Sequence, residues 1–278
     1  MTDGWFAGID PGDEAAAAER VRSGRADGPD DWSQRAVDAG FASDEADYYD
    51  QLHAATMAAT RAAVAERETA DDQQLVHAIR AMADCERTAN ELAERVAEWA
   101  GSRYGESGSG VDYARELCDR EAVDEGDAAL QSLAERTVAV ADEADDLRTY
   151  VEQTAPAVAP NLSALAGPVL AARLVSLAGG LEALAKQPSG TVQVLGAEDA
   201  LFAHLRGGAP SPKHGIIFTH EYVSGTRPEE RGSAARALAG KLSIAARVDH
   251  YSGDLRPELE AELDERIERI RSRGGDEE

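Results

Sequence analysis

Residues 162–251 read LSALAGPVLAARLVSLAGGLEALAKQPSGTVQVLGAEDALFAHLRGGAPSPKHGIIFTHEYVSGTRPEERGSAARALAGKLSIAARVDHY. Most of this stretch is helical in pattern. Gly167-Pro168 and Gly179-Gly180 interrupt the opening helices, because proline cannot continue a helix and glycine favours its end. QPSGTVQVLG reads as a short extended or turn segment, and Glu198–Leu205 as a helix. GIIFTHEYV, residues 215–223, is β-branched and aromatic and predicts the one short strand. Helices resume at Ser233. The chain closes on an amphipathic helix whose apolar stripe is Leu259, Leu263, Ile267 and Ile270.

The same stretch is a charge island. From Asn161 to His250 there are nine Lys/Arg against seven acids, a balance of +2, whereas the whole chain of 278 residues carries −25. All three lysines, Lys186, Lys213 and Lys241, fall inside it. Phosphate binding is one reason for such an island, since a nucleic-acid backbone meets cations at contact distance. A packed domain with fewer surface acids is the other.

Apolar content of 43% supports a real core, while 5% aromatics and abundant Ala favour closely packed helices over a sheet. Arg supplies nearly all the positive charge. Acidic residues spread along an alanine-rich, lysine-poor chain suit a cytosol holding molar salt, where self-repulsion is screened. Cys85 and Cys118 stand far apart without a CxxC or a histidine cluster, so neither a disulfide framework nor a zinc site is indicated. No long apolar run and no signal-peptide pattern occurs, which places the protein in the cytoplasm without a membrane partner.

Upstream, a short acidic segment (residues 1–43) offers a helix around Asp13–Ser23 and a small cluster of Trp5, Phe6, Trp32 and Phe41. Ser43 is the expected cap of a helix ending near Thr69. Two heptad-like runs follow. Leu75, Ile79, Met82, Cys85, Ala89, Leu92, Val96 and Trp99 form the first. Leu130, Leu133, Thr137, Val140, Ala144, Leu147 and Val151 form the second. Joined by about thirty residues, they predict an antiparallel coiled-coil arm or two stripes of one bundle. The division expected is 1–43, a coiled-coil region 44–155 punctuated by Pro156 and Pro160, a domain at 156–272, and a polar tail at 273–278.

Three blocks, AGGLEALAKQPSGTVQVLGAEDALF, PKHGIIFTHEYV and RGSAARALAGKLSIAARVD, resemble in order and spacing the Nop-domain family of box C/D ribonucleoprotein core proteins. Upstream likeness to archaeal members extends this over about residues 36–272. The resemblance implies a mainly α protein: a long antiparallel coiled-coil arm, a helical Nop domain with a short β element, and a shortened N-terminal segment. It implies a non-catalytic scaffold for RNA-guided 2′-O-methylation, without a cofactor of its own. The implied partners are a box C/D guide RNA, a kink-turn-binding protein, the methyltransferase fibrillarin, and a second copy bound through the coiled coil. The N-terminus is shorter than the family's usual fibrillarin-docking domain.

Carried onto this chain, the resemblance points to Lys213, Arg227, Arg231, Arg236, Lys241 and Arg247 as RNA contacts. Arg suits phosphate because its planar fork donates two hydrogen bonds at once. Lys241 and Arg247, six residues apart, could follow one groove. Lys186, Gly196, Ala197 and Glu198 fall where the family meets the kink-turn protein and RNA, and Asp199 replaces a usual cation there. Leu75, Ile79, Met82, Leu92, Val96, Leu133, Val140 and Leu147 would carry the dimerising coiled coil. For each cation a solvated charge or local ion pair is the plain alternative. A protein-only coiled-coil adaptor competes with the RNA scaffold. A catalytic RNA-processing enzyme does not fit, because no glycine loop follows a strand within a βα repeat and no histidine sits in a nucleophile or metal arrangement.

Overall fold

The computed structural model describes residues 4–25 and 28–272, so the tail at 273–278 lies outside the described residues. The chain divides into two compact units, Met1–Ala70 and Asp71–Glu278.

The first unit holds α1 (Glu14–Ser23), α2 (Trp32–Asp38) and α3 (Glu45–Glu68). Asp13, read as the first residue of this helix, is its cap and accepts from the Ala16 amide. The cap of α3 is Asp44 and not Ser43. Asp44 accepts from the Asp47 amide at 2.9 Å while Asp47 accepts from the Ser43 amide at 2.7 Å. A carboxylate on each side of this reciprocal pair satisfies two otherwise orphaned donors. The aromatic cluster forms around buried Phe6, Phe41 and Tyr48, with Trp5 and Trp32 packed against it. Trp5 Nε1 donates to the Tyr48 hydroxyl at 3.1 Å.

In the second unit α4 (Asp71–Tyr104) and α6 (Glu125–Val158) form the arm, and α5 (Gly110–Cys118) packs between them at the far end. Each long helix has 34 residues, roughly 50 Å at the rise of an α-helix. They run antiparallel. Val96 and Ala100 meet Leu130 and Ala134 at the tip, while Leu75, Ile79 and Met82 meet Val151 and Ala155 at the base. At the tip Arg103 is ion-paired to both Asp124 and Asp127.

The buried seam departs from the heptad reading. Leu75, Ile79, Met82 and Val96 are buried, but Leu92, Leu133, Val140 and Leu147 are only half-buried, and Trp99 is exposed. Ala89 and Ala144 of those runs are buried, and Ala93, Ala100 and Ala134, outside the runs, join them in the seam. Small residues let the two backbones approach closely, so the larger side chains are displaced to the flanks.

The remaining helices build a head on the arm's base. They are α7 (Pro160–Ala166), α8 (Pro168–Ala178), α9 (Leu181–Lys186), α10 (Ser189–Val194), α11 (Glu198–Leu205), α12 (Glu221–Ser224), α13 (Arg231–Tyr251) and α14 (Glu258–Ser272), with a 3-10 turn at Ile216–Thr219. Pro156 does not end α6, which continues to Val158; the break comes at Ala159, with Pro160 opening α7. α7 and α8 bend by 119° at Gly167-Pro168. Both are apolar because they lie in the core. Among the described residues no single helix is long and apolar enough to cross a membrane.

α13 is the axis of the head. Ala234, Ala235, Leu238, Ala239, Leu242, Ala245 and Ala246 are buried on several faces, so α7, α9, α10 and α14 can all pack against it. Leu259, Leu263, Ile267 and Ile270 of α14 join the same core, as their spacing predicts. Arg80 of α4 donates to the Ser176 hydroxyl and carbonyl, and Asp72 accepts from the Leu181 amide, tying the arm's base to α8 and α9.

The expected strand at GIIFTHEYV does not form, and no strand occurs among the described residues. Gly215 and Ile216 do pair with the backbone of Gln193 and Leu195, but the chain then coils into the 3-10 turn and α12. This turn buries Ile217 and Val223 and leaves Phe218 at the surface, an inside-out choice that tertiary burial imposes over β-propensity. SGTVQV is likewise helical and not extended, because Val192 docks into the core beside α13.

Candidate nucleic-acid interface

The site is built on the loop between α11 and the 3-10 turn. Gly215 N–H donates to the Gln193 carbonyl at 2.9 Å, Ile216 N–H to the Leu195 carbonyl at 2.8 Å, and Gln193 Nε2 to the Lys213 carbonyl at 2.7 Å. Glycine is required at 215 by space. A Cβ there would strike the Leu195 carbonyl oxygen and come within 2.7 Å of the Val194 carbonyl. Ile217 is fully buried and anchors the far end.

Pinned on both sides, the loop presents Phe218, 37% exposed. His214 stacks on it at 4.6 Å between ring centroids and 19° between planes. The Arg231 guanidinium lies 5.3 Å from the same ring. Arg231 is oriented by donating to the carbonyls of Thr226 at 3.0 Å and Ser224 at 3.3 Å. The Lys213 side chain runs across Gly232 at the start of α13. Burial, then the nearby Arg231 charge, holds the His214 imidazole below its ordinary pKa. It is therefore a neutral π-surface near neutral pH. Stacked rings flanked by two cations suit an unstacked base and its adjoining phosphate.

Gly196 sits beside this loop with φ +82°, against Ile216 and Leu177. Ala197 caps α11, and Glu198 turns back to accept from the Gly196 amide at 2.8 Å. Asp199 is exposed in the first helical turn, where the helix dipole favours an acid. No residue of α11 is buried; Phe202 is 56% and Leu205 71% exposed. Leu177, beside Gly196, is exposed as well. Large apolar side chains on a short surface helix, next to a basic loop, mark a surface fit for a partner.

The other sequence candidates lie elsewhere. Arg227 and Arg236 are exposed. Lys186 pairs with Glu182 at 2.5 Å along its own helix. Lys241 is ion-paired to Glu262 of α14, with only 16% of its side chain accessible. Arg247 donates to the carbonyls of Ala185 at 3.1 Å and Gln187 at 3.4 Å, capping the C-terminus of α9. Lys241 and Arg247 thus reach different neighbours.

Three residues escaped the sequence reading. His214 and Phe218 were legible only as an aromatic neighbourhood to Lys213; nothing local says that Phe218 faces outward. Asp249 is the third. It is buried, and its carboxylate accepts from the Asn161 and Leu162 amides at 2.9 Å and from Asn161 Nδ2 at 2.6 Å. It caps α7 from 87 residues away.

Fold and site together define an all-helical protein whose coiled-coil arm carries a head with a mixed basic and aromatic surface. The chain belongs to the Nop family: the family model described as "snoRNA binding domain, fibrillarin" matches residues 114–270, over half of the chain. An uncharacterized NOP5 family protein of Methanocaldococcus jannaschii is 53% identical over 126 residues, covering 45% of this chain and 30% of that protein. Mouse nucleolar protein 56 is 42% identical over 123 residues, 44% of this chain and 21% of its own length. Nucleolar protein 58 of Scheffersomyces stipitis is 37% identical over 150 residues, 52% and 29% respectively. The matched region therefore spans under a third of each of these relatives. A solved fibrillarin/Nop5p complex contains a chain with a TM-score of 0.55 and 24% identity, covering 92% of both chains. That likeness extends the shared fold to nearly the whole of this protein.

Proposed function

We propose that this protein is a non-catalytic scaffold of a box C/D ribonucleoprotein. In this reading the head binds guide RNA together with a kink-turn-binding protein, and another part of the chain recruits a fibrillarin-type methyltransferase. The observation that carries the reading is the pinned loop within the family-matched segment: His214 stacked on Phe218, flanked by Lys213 and Arg231. The exposed apolar face of α11 supports a protein partner beside the RNA, so the site is composite. A head of net charge near zero gains little from counterion release, which leaves stacking, shape and close hydrogen bonds to supply affinity.

The arm would set the distance between two heads in a homodimer. Its half-buried Leu92 and Val140 are available to meet a second copy, since Leu75, Ile79, Met82 and Val96 are buried in the arm's own seam and Leu133 and Leu147 pack against it. The target ribose would be presented to the active site of the methyltransferase, a positional contribution.

The test is reconstitution in high-potassium buffer. A guide RNA bound to the kink-turn protein should be supershifted by this chain, while bare RNA binds much more weakly. Comparable affinity for both would refute the composite site. Absence of any supershift across a range of salt would favour a protein-only adaptor.

A further inference from the structure

We propose that an open cavity where the arm meets the head binds a phosphate-class oxyanion. The cavity, of about 470 Å³, is lined by Glu86 of α4, Arg148 of α6, the first turn of α8 with Arg173, and His220.

The charge arrangement carries the inference. Two guanidinium groups face one carboxylate. Arg148 bonds Glu86 at 2.5 Å, but Arg173 reaches it only at 3.7 Å, beyond hydrogen-bond range. Arg173 therefore keeps donor capacity in a site where 34% of its side chain is open to solvent. A local excess of one positive charge, in a chain of net charge −25, is an isolated attractor for an anion.

The backbone adds to it. Pro168 opens α8 without an N–H, no side chain caps this end, and Ala171 is the first amide to bond inside the helix, to Gly167. The N–H groups of Val169 and Leu170 precede it at the positive end of the helix dipole. His220 is a neutral wall: Nε2 donates to the Leu165 carbonyl at 3.0 Å and Nδ1 accepts from the Tyr222 amide at 3.1 Å. Arg148 of α6, the first turn of α8 and Arg173 thus line one cavity from different elements. A tetrahedral oxyanion offers acceptors in several directions, a planar carboxylate in one plane.

Two sources share this chemistry, free phosphate and an RNA phosphodiester. The 3-10 turn carries Phe218 at the stacking surface and continues into Thr219 and His220 at the cavity. A strand stacked on Phe218 would pass its backbone toward Arg173. This choice of source rests on the RNA-scaffold reading; the cavity itself does not.

The experiment is a titration of the full-length ¹⁵N-labelled protein with inorganic phosphate in potassium chloride, followed at the Val169 and Leu170 amides. Saturable shifts are expected. Arg173→Gln should weaken binding about fivefold or more, as loss of a charge-assisted fork does. Glu86→Gln should tighten it a few-fold, roughly, by removing the competing carboxylate. The second variant keeps the test decisive if the first does not fold. No saturable shift in either wild type or Glu86→Gln, or an unchanged affinity in Arg173→Gln, would overturn the proposal. So would an oligoglutamate peptide that occupies the site more tightly than phosphate.

Adding the preassembled guide RNA and kink-turn protein separates the sources. Displacement of phosphate identifies the phosphodiester, while phosphate retained beside bound RNA identifies the free ion. If RNA does not bind but phosphate does, the scaffold reading fails and the cavity stands. If RNA binds and phosphate does not, the cavity proposal fails alone.

Discussion

Gly215→Ala isolates how the candidate interface is held. The native φ of −111° is not the positive-φ conformation that calls for glycine. The obstacle is steric: the new methyl group would meet the Leu195 carbonyl oxygen and the Val194 carbonyl, which are backbone and cannot rotate away. Overpacking of this kind costs about 1–3 kcal/mol. Relief by moving the loop breaks the Gly215–Gln193 and Ile216–Leu195 hydrogen bonds, at about 1 kcal/mol each. The expected loss is therefore roughly 2–4 kcal/mol, with His214 and Phe218 displaced from register. Urea unfolding should show a lower midpoint at unchanged slope. The supershift should weaken even under conditions where the variant is folded. Gly240→Ala is the control. It lies inside α13 with nothing near the added methyl, and should be neutral or gain up to about 1 kcal/mol. Gly215→Ala with the stability of wild type would refute the close-approach argument.

Four further outcomes are expected. Asp249→Ala removes the buried carboxylate that caps α7 and should cost about 2–4 kcal/mol in thermal or urea melts; a loss below about 0.5 kcal/mol would contradict that role. Arg247→Ala should destabilise by about 1–2 kcal/mol through the uncapped α9 carbonyls, whereas weakened RNA binding at unchanged stability would show that it acts on RNA. Glutamate at both Leu92 and Val140, half-buried and outside the arm's packed clusters, should leave the arm folded and abolish self-association in light scattering; a persistent dimer would exclude this face. At the arm's tip, Arg103, then Tyr104 and the Val123 amide, hold the Asp127 carboxyl down at about 2. A depressed carboxylate stabilises fully above its ordinary value of 3.8, and this contribution disappears as pH falls through about 2. The melting-temperature gap between wild type and Asp127→Asn should therefore be constant above that window and close within it. A gap that stays constant throughout would show that Asp127 is not held by its charge.

Helices, arm and C-terminal stripe were legible in the sequence because their signals are local. Leu259, Leu263, Ile267 and Ile270 share a face through helical geometry alone, and all four are buried. Family blocks were equally plain in the order of their residues. Tertiary structure decided what those signals leave open. Whether GIIFTHEYV became strand or turn depended on a core that needed Ile217 and Val223 and had no sheet to offer. Which alanines entered the seam depended on how closely α4 and α6 approach. Which cations remain available depended on partners far along the chain: Glu262 for Lys241, the α9 carbonyls for Arg247, one shared Glu86 for Arg148 and Arg173. Periodicity is written within one helix turn, so the sequence determines what each segment will be. An ion pair or a stacked ring is chosen between segments tens of residues apart, so only the folded chain decides which side chains are spent inside and which face a partner.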